Sequence, residues 1–151
     1  MKVNTKIRYG LRTMIEIAMN AGTTGLLQKE ISERQGIPIK YLDKIIAELK
    51  AANLILNVNG KRSGYRLAQP ANKITVYDIY KTFEGRVAVI NCLYEDAEGN
   101  CCRNMECASQ EFWHVLSTEM EATLHSKTLD KLVKRQMQLE NENNAVMSYQ
   151  I

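Results

Sequence analysis

Gly36 breaks what would otherwise be one long apolar helix stripe in "LLQKEISERQGIPIKYLDKIIAELKAANLI", and that break constrains the fold more than any other feature. Leu27, Ile31 and, just past the break, Ile37 supply the inward positions of a short first helix; Ile39, Leu42, Ile45, Ile46 and Leu49 form the stripe of a longer second one. Pro38 suits the start of the second helix, where its missing N–H costs nothing. A short helix, a tight glycine turn and a longer helix are the helix-turn-helix pattern. The chain then changes period: "NLILNV" and "YRLA" read as strands around the turn "NGKRSG", a β-hairpin with a basic tip. Directly after a helix-turn-helix, such a hairpin is a wing.

The flanking segments complete a mainly α (α+β) fold. Ile7, Leu11, Met14, Ile15 and Ala18 define one face of a first helix, closed by Gly22 and Gly25. Thr75 is placed to cap the helix "VYDIYKTFEG", with Asp78 three residues on as its partner. Near the C-terminus Phe112, Leu116, Met120 and Leu124 recur every four residues, flanked by Trp113 and Val115, and this helix has too much apolar surface to stand alone. The expected organisation is a winged helix-turn-helix DNA-binding domain over 1–85, a cysteine-bearing loop over 86–108, a dimerisation helix region over 109–133, and a polar Gln/Asn/Glu-rich tail over 134–151 that frays.

Charge is divided along the chain. Residues 1–90 hold 15 Lys and Arg against 7 Asp and Glu, whereas residues 91–151 hold 5 against 10. A basic N-terminal half points to a polyanion, and double-stranded DNA fits the motif. On the recognition helix Lys40, Tyr41, Asp43 and Lys44 face away from the apolar stripe, placed to reach base edges or phosphates. Gln28 and Lys29 open the preceding helix, where backbone contacts are usual, and Lys61 and Arg62 at the wing tip suit phosphates or a narrow minor groove. No apolar run approaches the ~20 residues needed to cross a bilayer. The start "MKVNTKIRYG" lacks a secretory leader, so a cytoplasmic protein with no membrane partner is expected.

All four cysteines lie in "NCLYEDAEGNCCRNMEC": Cys92, Cys101, Cys102 and Cys107. In reducing cytoplasm this cluster favours a metal or redox role over a structural disulfide. Thiolates suit iron–sulfur clusters and zinc alike, so ligand type leaves both open. Catalysis is not expected: the only histidines, His114 and His125, share the C-terminal helix, and the chain has neither a nucleophile elbow nor a phosphate loop.

Across about residues 1–133 the chain resembles the IscR/NsrR-type regulators, also called the Rrf-two family. The resemblance rests on "TKIRYGLR", "KEISERQGIPIKYLDKIIAELKAANLI", "SGYRLAQPANKITVYDIYKTFEG", the cysteine loop, "FWHVL" and "TLDKL". It implies a homodimeric transcription regulator whose long C-terminal helix packs on its counterpart. It also implies, as in many members, a two-iron or four-iron cluster held by three cysteines, reporting iron–sulfur supply, nitric oxide or redox stress. The family's last two cysteines have five residues between them, the spacing of Cys101 and Cys107, so the implied ligands are Cys92, Cys101 and Cys107. Cys102 is a spare or a fourth ligand, and all four would serve a structural zinc. Cluster-free thiol–disulfide chemistry at the same cysteines is the alternative.

Three positions depart from the family pattern. Where some members place a histidine ligand this chain has Gln110; where others place a carboxylate it has Arg8; and Asn59 replaces an arginine common before the wing's first glycine. His114, seven residues past Cys107, stands about 10 Å along a helix, too far to share one small cluster. Glu111 is closer.

Overall fold

The computed structural model describes residues 3–59, 63–93 and 107–149. Helix α1 (Thr5–Asn20) starts where the Asn4 side chain accepts from the Lys6 amide at 2.9 Å. It buries Ile7, Met14 and Ile17, with Leu11, Ile15 and Ala18 packed at the margin. Helix α2 (Gln28–Gln35) ends at Gly36, whose φ of 62° lies in the left-handed region that favours glycine. The Ser32 hydroxyl ties the turn by donating to the Ile37 carbonyl at 2.6 Å, and α3 (Ile39–Ala51) follows Pro38. Leu42, Ile45, Ile46 and Leu49 are buried, as the apolar period requires.

Strands β1 (Ile55–Asn57) and β2 (Tyr65–Leu67) pair antiparallel with Ile55 opposite Leu67 and Asn57 opposite Tyr65. On its other side β2 bridges to Leu26, with Leu26 N–H to Tyr65 O at 2.9 Å and the reciprocal bond at 2.8 Å. This bridge corrects the expectation for Leu27. Neighbours on extended backbone point to opposite sides, so Leu26 enters the core and Leu27 is left exposed. Ile39, at the first position of α3, is also exposed rather than part of the stripe. The architecture is a winged helix-turn-helix of mainly α composition with this small sheet.

A single 3₁₀ turn (Ala71–Lys73) leads to α4 (Val76–Glu84). Thr75 and Asp78 form the expected reciprocal cap, Thr75 N–H to Asp78 Oδ2 at 2.8 Å and Asp78 N–H to Thr75 Oγ1 at 3.2 Å. Helix α4 packs closely on α1, for a Cβ added at Gly10 would collide with the Phe83 ring.

The C-terminal region departs from the sequence expectation. In place of one dimerisation helix ending near residue 133 there are two, α5 (Ala108–Ser126) and α6 (Leu129–Ser148). The two residues between them are extended and bridge to the start of α4: Val76 N–H donates to Lys127 O at 2.8 Å, and Leu129 N–H to Ile74 O at 2.8 Å. Leu129 is thereby fully buried in the core, with Val133 packed against it. The segment 134–148, expected to fray, continues α6. Its straight-chain residues are good helix formers and pair along the surface, Gln136 Nε2 to Glu140 Oε1 at 3.0 Å and Lys134 to Asp130 at 3.5 Å. No helix of the described residues is long and apolar enough to cross a membrane.

Leu129→Ala is expected to destabilise the protein by about 3 kcal/mol in urea unfolding, because it leaves a cavity where α6 enters the core. A loss below about 1 kcal/mol would show that α6 is only loosely attached.

Candidate nucleic-acid interface and cysteine site

Lys40, Asp43 and Lys44 are exposed on α3, opposite the buried stripe. Neither lysine has a hydrogen bond or ion pair within the described residues, so both ammonium groups stand ready for an anion. Asp43 accepts a hydrogen bond from the Gln28 side chain, which links the start of α2 to the outer face of α3. Lys29 faces solvent in a loose pair with Glu33 at 3.8 Å, a geometry that contributes little to stability. Tyr41 is different from the expectation. It is half-buried, and its ring meets Tyr9 edge-on at 5.6 Å, so only part of it faces outward.

Helix α1 adds two cations beside this face that its apolar period does not announce. Arg8 and Arg12, one turn apart and both exposed, lie 5.9 and 5.6 Å from the centre of the Tyr9 ring. Arg12 also donates from Nε to Gln35 Oε1 at 2.9 Å, which pins α1 to the end of α2. Their i, i+4 spacing around a tyrosine was the available signal. Lys6 is engaged with Glu48 at 2.7 Å, and that hydrogen bond holds its ammonium pKa above the usual lysine range. The basic surface therefore continues from α3 onto α1 through residues 8 and 12.

Lys61 and Arg62 lie outside the described residues. The base of the wing is defined. Asn59 N–H donates to Ser63 Oγ at 2.9 Å, and Val58 N–H to Gly64 O at 3.0 Å. Gly64 is buried against Gly25, where φ is 77° and an added Cβ would stand 2.5 Å from the Gly64 carbonyl carbon. Backbone meets backbone here, and no side chain fits.

Cys101 and Cys102 also lie outside the described residues, so the predicted ligand set is seen only in part. Cys92 belongs to a 3₁₀ turn (Asn91–Leu93) and Cys107 is the cap residue of α5. Both are half-buried free thiols. They are brought to the same end of α5, since Gln110, in its first turn, donates Nε2–H to the Cys92 carbonyl at 3.2 Å. Residue 110 thus acts as a tie between the two cysteine-bearing segments, and its amide offers no imidazole lone pair for a metal. Among the described residues no three His, Cys, Asp or Glu side chains converge on a metal site.

The histidines are occupied elsewhere. His114 lines a hollow of about 320 Å³ with Tyr77, Arg86, Leu93 and Glu121. His125 stacks on Tyr77 at 3.9 Å, and burial, followed by the Glu121 carboxylate, raises the Tyr77 phenol above its ordinary range. Ser117, buried on α5, accepts from the Val89 amide at 3.2 Å and fixes the segment leading to Cys92.

Residues 3–135 match the family model of Rrf2, the iron-dependent transcriptional regulator. The protein rrf2 of Nitratidesulfovibrio vulgaris is 36% identical over 135 residues, covering 89% of this chain and 88% of its own. Among solved structures, CymR (YrzC), the global cysteine regulator of B. subtilis, superposes with a TM-score of 0.72 at 30% identity, covering 89% of this chain and 98% of that one. IscR of T. potens superposes with a TM-score of 0.70 at 30% identity, covering 89% and 88%.

The crowding at the wing base gives a paired test. Gly25→Ala adds both left-handed strain and a backbone clash and is expected to cost about 2–3 kcal/mol in thermal unfolding. Gly36→Ala meets open space and should cost only about 1 kcal/mol.

Proposed function

We propose, from the premise that this chain belongs to the Rrf2 family of transcriptional regulators, which it does over residues 3–135, that it reads DNA with α3 and reports a chemical signal through its cysteine loop. It is a DNA-binding regulator and not an enzyme. Lys40 and Lys44 carry the contact on the major-groove side, with Lys29 on the backbone and Lys61 and Arg62 at the wing. Gln28 and Asp43, hydrogen-bonded to one another without DNA, exchange that bond for DNA partners, Gln28 at the backbone and Asp43 as acceptor from a cytosine amino group. Tyr41 contributes through its exposed edge and otherwise holds Tyr9. The protein acts as a homodimer in the cytoplasm, with α5 facing its counterpart; Phe112 and Val115 are exposed on that helix at 61% and 55%.

The observation that carries the signal reading is the tie from Gln110 to Cys92, which joins both described cysteines to the start of α5, the helix proposed as the dimer contact. Cys92 and Cys107 fit an iron–sulfur cluster in type and accessibility, and with Cys101 they would hold it, Cys102 standing beside them. A cluster bound there would supply a redox-active centre sensitive to oxygen and nitric oxide. What the chain supplies is the coupling. Any change at Cys92 or Cys107 pulls on the first turn of α5, and Ser117 carries the strain to Val89. A second reading keeps the coupling and uses thiol–disulfide exchange instead. Gln110 and Arg8 favour it, since both stand where a fourth ligand is found in other members.

Anaerobic purification with an absorption spectrum and iron, sulfide and zinc analysis separates these readings: iron with sulfide supports the cluster, zinc a structural site, and neither the thiol switch. Operator affinity is then expected to differ at least ~10-fold between metal-loaded and metal-free protein at fixed salt, since equal affinities leave no population shift. Lys44→Ala is expected to weaken operator binding by about 1–2 kcal/mol and to lower the salt slope by about one unit in a titration across salt concentrations. An unchanged slope would remove Lys44 from the phosphate or base contact.

A further inference from the structure

Residues 136–148 lie beyond the stretch that matches the family, yet they form more than three further turns of α6. Along them Leu132, Leu139 and Val146 recur every seven residues, and Gln136 and Asn143 recur at the same interval between them. In heptad terms the apolar residues occupy d and the amides occupy a. The flanking positions are Arg135 and Glu142 at g and Glu140 at e. A shallow hollow along the exposed helix is lined by Gln136, Leu139, Glu140, Glu142, Asn143 and Val146, which are the a, d, e and g positions. Leu139 and Val146 are 43% and 57% exposed, so the seam is uncovered within one chain.

We propose that this seam is an interface for the α6 of a second copy of this chain, paired parallel and in register as a short two-stranded coiled coil. The pattern selects that partner. An amide at a is satisfied by the same amide across a parallel pair, and it specifies register and two strands at a cost in stability. In a parallel pair Arg135 at g, already 3.3 Å from Glu142 of its own helix, faces Glu140 at e of the next heptad in the other copy, an opposite-charge contact added to the bond Glu140 accepts from its own Gln136. An antiparallel pair instead sets each amide at a against an apolar d residue of the other copy. A parallel pair also requires a two-fold axis along the helices, the symmetry of a C2 dimer.

The seam is short. Two heptads do not hold together as free peptides, since isolated helices below ~12–15 residues are marginal in water. Here the helix is already formed from a buried anchor at Leu129, and copies joined at another contact would meet at an effective concentration near ~1 mM. Pairing would therefore act as a clamp. Because α6 is rooted beside Ile74 and α1, it would fix the separation of the two DNA-reading units and so the half-site spacing they accept.

Single cysteines placed in the full chain test this directly. Gln136→Cys and Val146→Cys mark opposite ends of the seam, about 15 Å apart along the helix, and only a parallel in-register pair brings both residues to their own counterparts. Asn141→Cys, on the outer face of α6, is the control for reactivity and for cross-links through the native cysteines. Under mild oxidation both seam variants are expected to yield at least ~5-fold more covalent dimer than the control, as the tethered concentration predicts. Failure of either seam variant to exceed Asn141→Cys overturns the proposal. Operator binding by the same variants, measured reduced, tells whether the DNA reader itself is intact.

Discussion

The extended pair Lys127–Thr128 docks on Ile74–Val76 through two backbone hydrogen bonds, and the rest of the structure is organised around that small bridge. It returns the chain to the DNA-reading core after the excursion of the cysteine segment and α5. It also delivers Leu129 into the same apolar cluster that holds Met14, Leu42, Ile45 and Ile79. Without it α5 would be an appended arm. With it, α5 is a strut held at its C-terminal end by the bridge to the start of α4 and at its N-terminal end by the Gln110 tie to the Cys92 turn.

That arrangement gives the cysteine segment its leverage. Both of its described ends are fixed to α5, Cys107 as the cap and the Cys92 turn through Gln110 and, further back, through Val89 and Ser117. A perturbation between fixed ends has little room to dissipate locally, and packed elements respond by shifting as units. The route from α5 to α3 runs through α4, whose Phe83 ring touches Gly10 so closely that α1 and α4 cannot slide without repacking. The basic face on α1 and α3 is thereby packed, through α4, against the helix that carries Cys107.

Where local chemistry decides, the fold was legible in the sequence. Gly36 takes the left-handed conformation that its turn needs, Thr75 and Asp78 cap α4 reciprocally, and the stripe from Leu42 to Leu49 is buried. The misreadings fall where a distant partner decides. Leu26 rather than Leu27 faces inward because β2 pairs with that segment, and Tyr41 is half-withdrawn because Tyr9 stands beside it. The split between α5 and α6 is not legible locally because nothing in "HSKTLDKL" breaks a helix on its own terms; the break is stabilised by hydrogen bonds to Ile74 and Val76, some fifty residues away.

The candidate site divides in the same way. The sequence by itself determined the thiols, their spacing, the lysines of α3 and the absence of a histidine at residue 110, because residue type and interval are properties of the chain alone. Tertiary structure decided which of these groups are available and what they touch. Gln110 ties Cys92 to α5, Gln28 and Asp43 satisfy each other, and Arg8 and Arg12 join the basic face by packing around Tyr9. The physical reason is range: caps, turns and periodicity are set by residues within a helical turn or two of one another. Partners across the core are set by the packing of elements that meet only once the chain has folded.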